Sequence, residues 1–470
     1  MWNFRQYDSN IALIEADGRT WTYSELHADI DAFQERIRDD KSLIFILSQN
    51  NLESIVAYFS ALENQHVPLL LNADIHSELL TELIQIYQPN YIWLPNSYDF
   101  ESVDYHQQAL GSSTFKLFEQ ISFMNHAMHP TLALLLTTSG STGNPKLIRI
   151  SQENIDSNRT AIASYLKLSS KDRAITTLPM NYTYGLSIIN SHLSVGASVV
   201  LTDASIVDKE FWSLFELTKP TSFNGVPYTY QLLKRLLKPN NFQSLRYMTQ
   251  AGGRLGKTLQ EYFVSLANQH GIDFYVMYGQ TEATARMAYL HPKRALDKLD
   301  SIGQAIPGGQ FELMDDQGNV IHSSHTLGEL VYYGPNVSMG YALSLEDLSK
   351  GDEWLGRLAT GDLALVDEEG FYFIQGRLNR YVKVYGVRIN LDDVERALQK
   401  MINQWDLAVV GEEDMIHVFT TLEFPSQKIQ EVASKFLIHP SVFRSHILDE
   451  IPKNPAGKVM YSSLIERTKR

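Results

Sequence analysis

Several apolar runs in this chain contain no polar position: Leu43-Ile44-Phe45-Ile46-Leu47, Val67-Pro68-Leu69-Leu70-Leu71, Tyr91-Ile92-Trp93-Leu94 and Leu132-Ala133-Leu134-Leu135-Leu136. Runs of this kind suit strands of a parallel sheet covered on both faces. Between the first two, Ile55, Tyr58 and Leu62 recur at helical spacing. Strands alternating with helices predict an α/β sheet fold. Nearer the N-terminus, Ile11-Ala12-Leu13-Ile14 and Thr20-Trp21-Thr22-Tyr23 flank the turn Ala16-Asp17-Gly18-Arg19, which predicts a hairpin. Thr22 is placed to cap a helix that begins near Tyr23.

The alternation continues from about 126 to 375. Arg173–Leu178, Ala197–Leu201, Ser222–Pro227, Leu245–Gly253 and Asp273–Glu282 read as strands or strand ends, with a helix start near Pro227. Four of the exits carry glycine, aromatic or polar clusters. Ligands collect at the carboxyl ends of strands in α/β sheets, so these exits predict one shared cleft. After about 300, turn clusters at Gly308-Gly309, Asp315–Asn319 and Asp367–Gly370 predict a smaller antiparallel β subdomain. A boundary is expected near Gly376-Arg377-Leu378-Asn379-Arg380. The predicted architecture is α/β: a large N-terminal domain of stacked α/β subdomains with the antiparallel part, 1–377, and a small C-terminal α/β domain, 378–470.

Composition narrows the function. A chain of 470 residues exceeds one hydrophobic core. The formal net charge of -14 argues against general nucleic-acid binding. The absence of cysteine removes disulfides, thiolate metal sites and cysteine catalysis. The 14 histidines form no His-x-x-x-His pattern. No signal-peptide core and no membrane-spanning apolar stretch is visible, so a cytoplasmic protein without membrane insertion is expected.

The apolar run 132–136 stops at Thr137-Thr138-Ser139-Gly140-Ser141-Thr142-Gly143-Asn144-Pro145-Lys146, and the chain turns apolar again at Leu147-Ile148-Arg149-Ile150. Converging backbone N–H groups, hydroxyls and a lysine suit a polyphosphate. The spacing is not that of a Walker A loop, which also opens a helix. The same composition describes an ordinary Ser/Thr-rich surface turn. Glu282, at a strand exit, is suited to hold Mg²⁺ against phosphate oxygens, or to sit in a helix start capped by Thr281. Tyr278 could stack on a flat base or simply pack. Asp362, in Ala359-Thr360-Gly361-Asp362, suits ribose hydroxyls if it follows a strand, and turn acids are common. Arg377, Lys383 and Arg388 around Gly386 read either as a binding cluster or as a solvated basic face, and Lys458 lies in a C-terminal turn.

Taken together, and in this order, the segments resemble the adenylate-forming superfamily: acyl- and aryl-CoA synthetases, peptide-synthetase adenylation domains, D-alanine–carrier protein ligases and firefly luciferase. The motifs are 137–146, Tyr278-Gly279-Gln280-Thr281-Glu282, Thr360-Gly361-Asp362, Gly376-Arg377 through Lys383, Gly386 and Arg388-Ile389, and Gly457-Lys458. The resemblance implies that Thr138, Ser139, Gly140, Ser141, Thr142, Gly143 and Lys146 close on the phosphates of ATP. It implies that Ala251-Gly252-Gly253 and Tyr278 frame the adenine, that Gly279 belongs to the nucleotide site, and that Asp362, aided by Arg377, takes the ribose. Lys383 joins the nucleotide set, Thr281 meets the α-phosphate and Glu282 binds Mg²⁺. Lys458 bridges the carboxylate and the α-phosphate. The implied reaction is attack of a carboxylate on the α-phosphorus with release of pyrophosphate, then transfer of the acyl group to the thiol of CoA or of phosphopantetheine on a separate carrier protein. The resemblance also implies a mobile C-terminal domain that rotates between the steps about Asn379, where relatives carry Asp or Lys.

Asn181-Tyr182-Thr183-Tyr184 contains no acid to pair with a substrate ammonium, unlike the corresponding segment of amino-acid-activating relatives. Tyr182, Tyr184, Val226, Tyr228 and Met277 would give a mostly apolar, partly aromatic pocket, suited to a small non-amino carboxylic acid, fatty or aromatic. D-Alanine-like loading of a separate carrier protein stays open, since Gly334-Pro335-Asn336-Val337-Ser338 resembles the carrier-protein ligases.

Overall fold

The computed structural model describes residues 4–109, 113–137, 146–236, 242–378, 380–384, 387–402, 406–412, 414–423, 425–436, 438–453 and 459–468. The chain folds into two compact units. One comprises the described residues of 1–310 and 332–358, the other those of 311–331 and 359–470.

The first unit is built on an eight-stranded sheet. Leu43–Ser48 lies at its centre, parallel to Val67–Asn72 on one side and Tyr91–Pro95 on the other. Every residue of Leu43–Ser48 is buried, which is why the run reads as apolar without alternation. Leu132–Thr137 pairs parallel to Val67–Asn72 and antiparallel to Leu147–Ser151, with Thr137 opposite Leu147. Two strands therefore flank the hydroxyl–glycine loop, as expected. The N-terminal hairpin also forms: Ile11–Ile14 pairs antiparallel with Thr20–Thr22, and Thr22 with Glu25 makes a capping box on the helix Tyr23–Gln34.

Gly340–Ala342 adds to the sheet beside Leu147–Ser151. The anchor is Arg149, whose side chain is fully buried. Its Nε donates to the Tyr341 carbonyl at 3.0 Å and its Nη2 to the Met339 carbonyl at 3.0 Å; the same guanidinium meets the carbonyls of Lys350 and Gly351 and the carboxylate of Glu353. One side chain thus fixes a segment some 190 residues away in sequence. Replacing it by an apolar residue leaves those carbonyls and Glu353 without their donor. Arg149→Met is expected to lower stability by about 3 kcal/mol or more, measured as a shift of the urea unfolding midpoint at unchanged slope; a midpoint equal to the native one would refute this anchoring role.

A five-stranded sheet in the same unit places Ser222–Gly225, Tyr247–Gln250 and Asp273–Tyr278 side by side and parallel. Their carboxyl ends come out along one sheet edge, which gives the predicted shared exit its physical basis. Arg173–Ile175 belongs to a neighbouring four-stranded sheet and is tied to Ser222–Gly225 through the Arg173 carbonyl, which accepts from Thr221 N at 2.8 Å.

The second unit contains a sheet ordered Gln310–Met314, Gly328–Tyr333, Arg357–Val366, Tyr372–Arg377. Beyond it lie the hairpin Tyr381–Val384 with Val387–Asn390, the helix Leu391–Ile402, and a three-stranded sheet of Leu407–Glu412, Met415–Thr420 and Phe443–Ile447. Val384, Val394, Leu398, Val409, Ile416 and Val418 form its core. Among the described residues, no helix is long and apolar enough to cross a membrane.

Candidate active site

The Tyr-Gly-Gln-Thr-Glu segment leaves the strand Asp273–Tyr278 and returns at once, with Met287 N donating to the Tyr278 carbonyl at 2.8 Å and Ala288 pairing with Tyr278. Only glycine fits at 279, because an added Cβ would stand 1.8 Å from the Ala285 carbonyl oxygen. On this tight excursion, Thr281–Ala283 form one 3₁₀ turn. Thr281 does not cap it; Gln280 holds the N-cap position without a side-chain cap bond. The capping alternative for Thr281 and Glu282 is therefore not what the chain adopts.

The excursion is held from outside. Asn336 Nδ2 donates to the carbonyls of Ala283 at 2.9 Å and Arg286 at 3.1 Å, while Oδ1 accepts from Tyr332 Oη at 2.8 Å. Ser338 N donates to the Glu282 carbonyl at 3.0 Å. Thr284 takes φ +64, an uncommon conformation for a β-branched residue, and its hydroxyl donates to the Asn336 carbonyl at 2.7 Å. Gly334–Ser338 thus serves as a clamp on the Thr-Glu turn. This accounts for its residue pattern without reference to any substrate.

Glu282 is half-buried. Tyr341 Oη donates to its Oε1 at 3.1 Å, and no basic residue pairs with it among the described residues. Lys146, the last residue of the hydroxyl–glycine loop, places Nζ 4.5 Å from the centroid of the same Tyr341 ring. Trp354 packs edge-on against that ring at 5.0 Å. Tyr341 therefore joins the loop exit to the acidic turn. Nothing local marked it in the sequence, since it is a lone tyrosine in a three-residue strand.

Four of the five expected pocket residues gather in one cluster. Tyr184, Val226 and Met277 are buried together, with Tyr182 packed against them. Tyr182 and Tyr184 meet at 6.3 Å, nearly perpendicular. The hydroxyls of Tyr184 and Thr249 are hydrogen-bonded at 2.7 Å, and burial raises the Tyr184 pKa. Burial pushes the Tyr182 hydroxyl up to about 12, so at neutral pH it is a hydrogen-bond donor. Tyr228 is 46% exposed, in the first turn of the helix Pro227–Leu236.

Gly252 and Gly253 follow the strand Tyr247–Gln250. Gly252 has φ +80, and a Cβ there would lie 2.5 Å from Tyr182 Oη and 3.0 Å from Val226 Cγ1. The glycine loop therefore lies directly against the aromatic pocket. Gly252→Ala is expected to cost more than about 1 kcal/mol in urea denaturation. A neutral result would show that Tyr182 yields at no cost.

In the second unit, Asp362 lies inside the strand Arg357–Val366, where the sequence suggested a position after a strand or in a turn. Thr360-Gly361 reads as a turn, but Gly361, at φ +69, lies within the continuing strand. Asp362 is 3% exposed, is paired across the ladder with Arg377, and has Arg377 Nε 2.9 Å from its Oδ1.

Thr138, Ser139, Gly140, Ser141, Thr142 and Gly143, the hinge candidate Asn379, and Lys458 lie outside the described residues, as does the side chain of Lys383. Arg380, next to the hinge candidate, is bound to its own unit: Nε donates to Asp392 Oδ1 at 2.7 Å, Nη2 to Glu395 Oε2 at 3.0 Å, and the guanidinium stacks 3.8 Å over Tyr461.

Comparison with known proteins gives a consistent family. The profile of the family described as AMP-binding enzyme matches residues 2–342. The chain is 26% identical over 470 residues to a 2-succinylbenzoate–CoA ligase of Bacillus cereus, covering 96% of this chain and 94% of that protein. A 2-succinylbenzoate–CoA ligase of Listeria monocytogenes is 26% identical over 348 residues, 71% of this chain and 70% of that one. Among solved structures, the O-succinylbenzoate coenzyme A synthetase of Bacillus subtilis in complex with ATP and magnesium ion superposes with TM-score 0.79 at 22% identity, covering 98% of both chains. ATP-bound MatB of Rhodopseudomonas palustris superposes with TM-score 0.78 at 20% identity, covering 99% of this chain and 98% of that one.

Proposed function

The chain belongs to the AMP-binding enzyme family, the acyl-adenylate-forming ligases, and from that premise we propose that it activates a non-amino carboxylic acid with ATP and Mg²⁺ and passes the acyl group to CoA. The observation that carries this reading is Glu282: a half-buried carboxylate on a clamped turn, with a tyrosine hydroxyl on one oxygen and no cationic partner among the described residues. A hard divalent cation fits such an oxygen. Among the described residues no group of three or more His, Asp or Glu side chains could hold a metal. A cation shared between one carboxylate and a polyphosphate needs no such group. When bound, Mg²⁺ neutralises charge on the phosphate oxygens.

The remaining roles belong to the chain. Lys146 and the hydroxyl–glycine loop hold the β- and γ-phosphates. Gly252, Gly253, Tyr278 and Gly279 border the adenine. Asp362, oriented by Arg377, accepts from the ribose hydroxyls. Thr281 and Lys458 stabilise the charge that develops as an acid oxygen attacks the α-phosphorus and the bond to pyrophosphate breaks. In the second step the thiol sulfur attacks the acyl carbonyl carbon, AMP leaves, and the thiol proton passes to solvent, with Asn379 as the pivot between the two steps. The cluster of Tyr182, Tyr184, Val226 and Met277 supports an acid with an apolar or aromatic body. It offers no acid to balance an ammonium, which favours a non-amino substrate. The CoA-ligase names of the full-length relatives support CoA as the acceptor.

The test is pyrophosphate release from ATP·Mg²⁺ with panels of aromatic, fatty and amino acids, with CoA or with a phosphopantetheinylated carrier protein. Acid-dependent pyrophosphate followed by an acyl-CoA is expected. Release only with amino acids, and transfer only to the carrier protein, would replace this reading by the carrier-loading one.

A further inference from the structure

The Thr-Glu turn ends in a strained residue. Thr284 has φ +64 and ψ -55, and Ala285 N donates to the Ala283 carbonyl at 2.7 Å. These are the marks of a γ-turn of the rarer hand, which strains an L-residue and a β-branched one most of all. Such a conformation persists only where the surroundings hold it. Here the segment Gly334–Ser338 does so. The Thr284 hydroxyl donates to the Asn336 carbonyl at 2.7 Å, and the Asn336 side chain takes the carbonyls of Ala283 and Arg286 on either side of it. One side of the turn faces a cavity that Thr284 and Ala285 line with Leu134, Leu136, Asn158 and Asn190, so packing alone does not hold it. The two arms of the turn are also fixed unequally. Beyond it, the Ala285 carbonyl lies against Gly279, Met287 N donates to the Tyr278 carbonyl, and Ala288 opens a paired strand. Before it, Thr281–Ala283 form a single 3₁₀ turn that belongs to no sheet. Relaxation of Thr284 would therefore be taken up by Thr281 and Glu282.

Resting on the reading in which Glu282 holds Mg²⁺, we propose that Thr284 is a positioning residue for that carboxylate. Its hydroxyl latches the strained turn to Asn336, and the latched turn fixes the direction from which Glu282 meets the cation. Glycine would take this conformation without strain, but it has no hydroxyl to form the latch. That accounts for a β-branched residue at a position that disfavours one. Thr284 acts through Glu282 and not on the reacting atoms.

The test uses the full-length chain with ATP, an acid that supports pyrophosphate release, and varied Mg²⁺. Pyrophosphate release gives kcat and the Mg²⁺ concentration for half-maximal rate, and urea unfolding reports whether each variant is folded. T284S keeps the hydroxyl and is expected to stay close to native in both. T284V keeps the shape without the latch, and T284G loses latch and strain together. Both are expected to raise the half-maximal Mg²⁺ concentration by about 10-fold, the size of one lost buried hydrogen bond, and to lower kcat, with KM for the acid little changed. The deciding measurement adds T284G to E282Q. If Thr284 acts through Glu282, its loss adds nothing to the Mg²⁺ shift that E282Q already causes, whereas a merely structural role adds the same factor in either background. Should T284V fail to fold, T284S and T284G decide the matter. Native Mg²⁺ dependence in T284G, a T284S enzyme as damaged as T284G, or full additivity with E282Q would each overturn the proposal while leaving Glu282 as the cation's ligand. No pyrophosphate with any acid, or native Mg²⁺ dependence in E282Q, would instead sink the reading of Glu282 itself, and the inference with it.

Discussion

Lys458→Ala is expected to abolish formation of the acyl-adenylate, with a fall of about 10²–10³-fold or more in the rate of acid-dependent pyrophosphate release. The physical reason is the encounter of two anions. A carboxylate must approach an α-phosphate within bonding distance, and like charges at about 4 Å repel by roughly 4 kcal/mol at an effective dielectric of about 20. A lysine ammonium between them cancels much of that repulsion and follows the charge into the transition state. Thiolysis of a supplied acyl-adenylate makes no such demand, since its phosphate is already esterified. The same variant should therefore convert acyl-adenylate and CoA to acyl-CoA at close to the native rate. Equal damage to both steps, or an intact first step, would remove Lys458 from this role. The role comes from the Gly457-Lys458 motif and its place after the other motifs, so this variant also tests the resemblance at its C-terminal end.

Glu282→Gln should come next in size. The substitution preserves shape and an acceptor for Tyr341 Oη, now 3.1 Å from Oε1, while removing the charge. If the carboxylate binds the cation, kcat/KM for ATP·Mg²⁺ should fall by about 100-fold, since a charge-assisted contact of roughly 2.7 kcal/mol corresponds to that factor. The Mg²⁺ concentration for half-maximal rate should rise as well. Tyr341→Phe, which keeps the ring under Lys146 but loses the hydroxyl, should cost only several-fold, in keeping with about 1 kcal/mol for one hydrogen bond. A Glu282→Gln enzyme with native Mg²⁺ dependence would place the metal elsewhere.

These two residues also show what the sequence could and could not disclose. Lys458 and Glu282 sit in short contiguous motifs whose residue types state their chemistry. The strands were legible for a similar reason. Leu43–Ser48 and Leu132–Thr137 are buried on both faces, so burial is written locally as an unbroken apolar run. The hairpin ending at Thr22 was legible through its Asp-Gly turn and capping residue. What stayed hidden depends on contacts between distant segments. Arg149 reads as a polar interruption of a strand, yet it fastens Met339 and Tyr341 to that strand. Tyr341 gains its meaning only when Gly340–Ala342 is laid beside Leu147–Ser151. Asp362 was assigned to a strand exit because Thr360-Gly361 looks like a turn, whereas the strand continues through it. Arg286 carried no motif at all. Its buried Nε has no hydrogen-bond partner among the described residues, a property no linear pattern can express.

The most direct test of the whole account follows the oxygen atoms. With the acid labelled by ¹⁸O in its carboxylate and CoA present as acceptor, passage through an acyl-adenylate transfers one labelled oxygen to the phosphate of AMP, and mass spectrometry of the nucleotide reads it. The account predicts AMP carrying one acid-derived oxygen, with unlabelled pyrophosphate. Label in inorganic phosphate beside ADP, or AMP free of label, would contradict it.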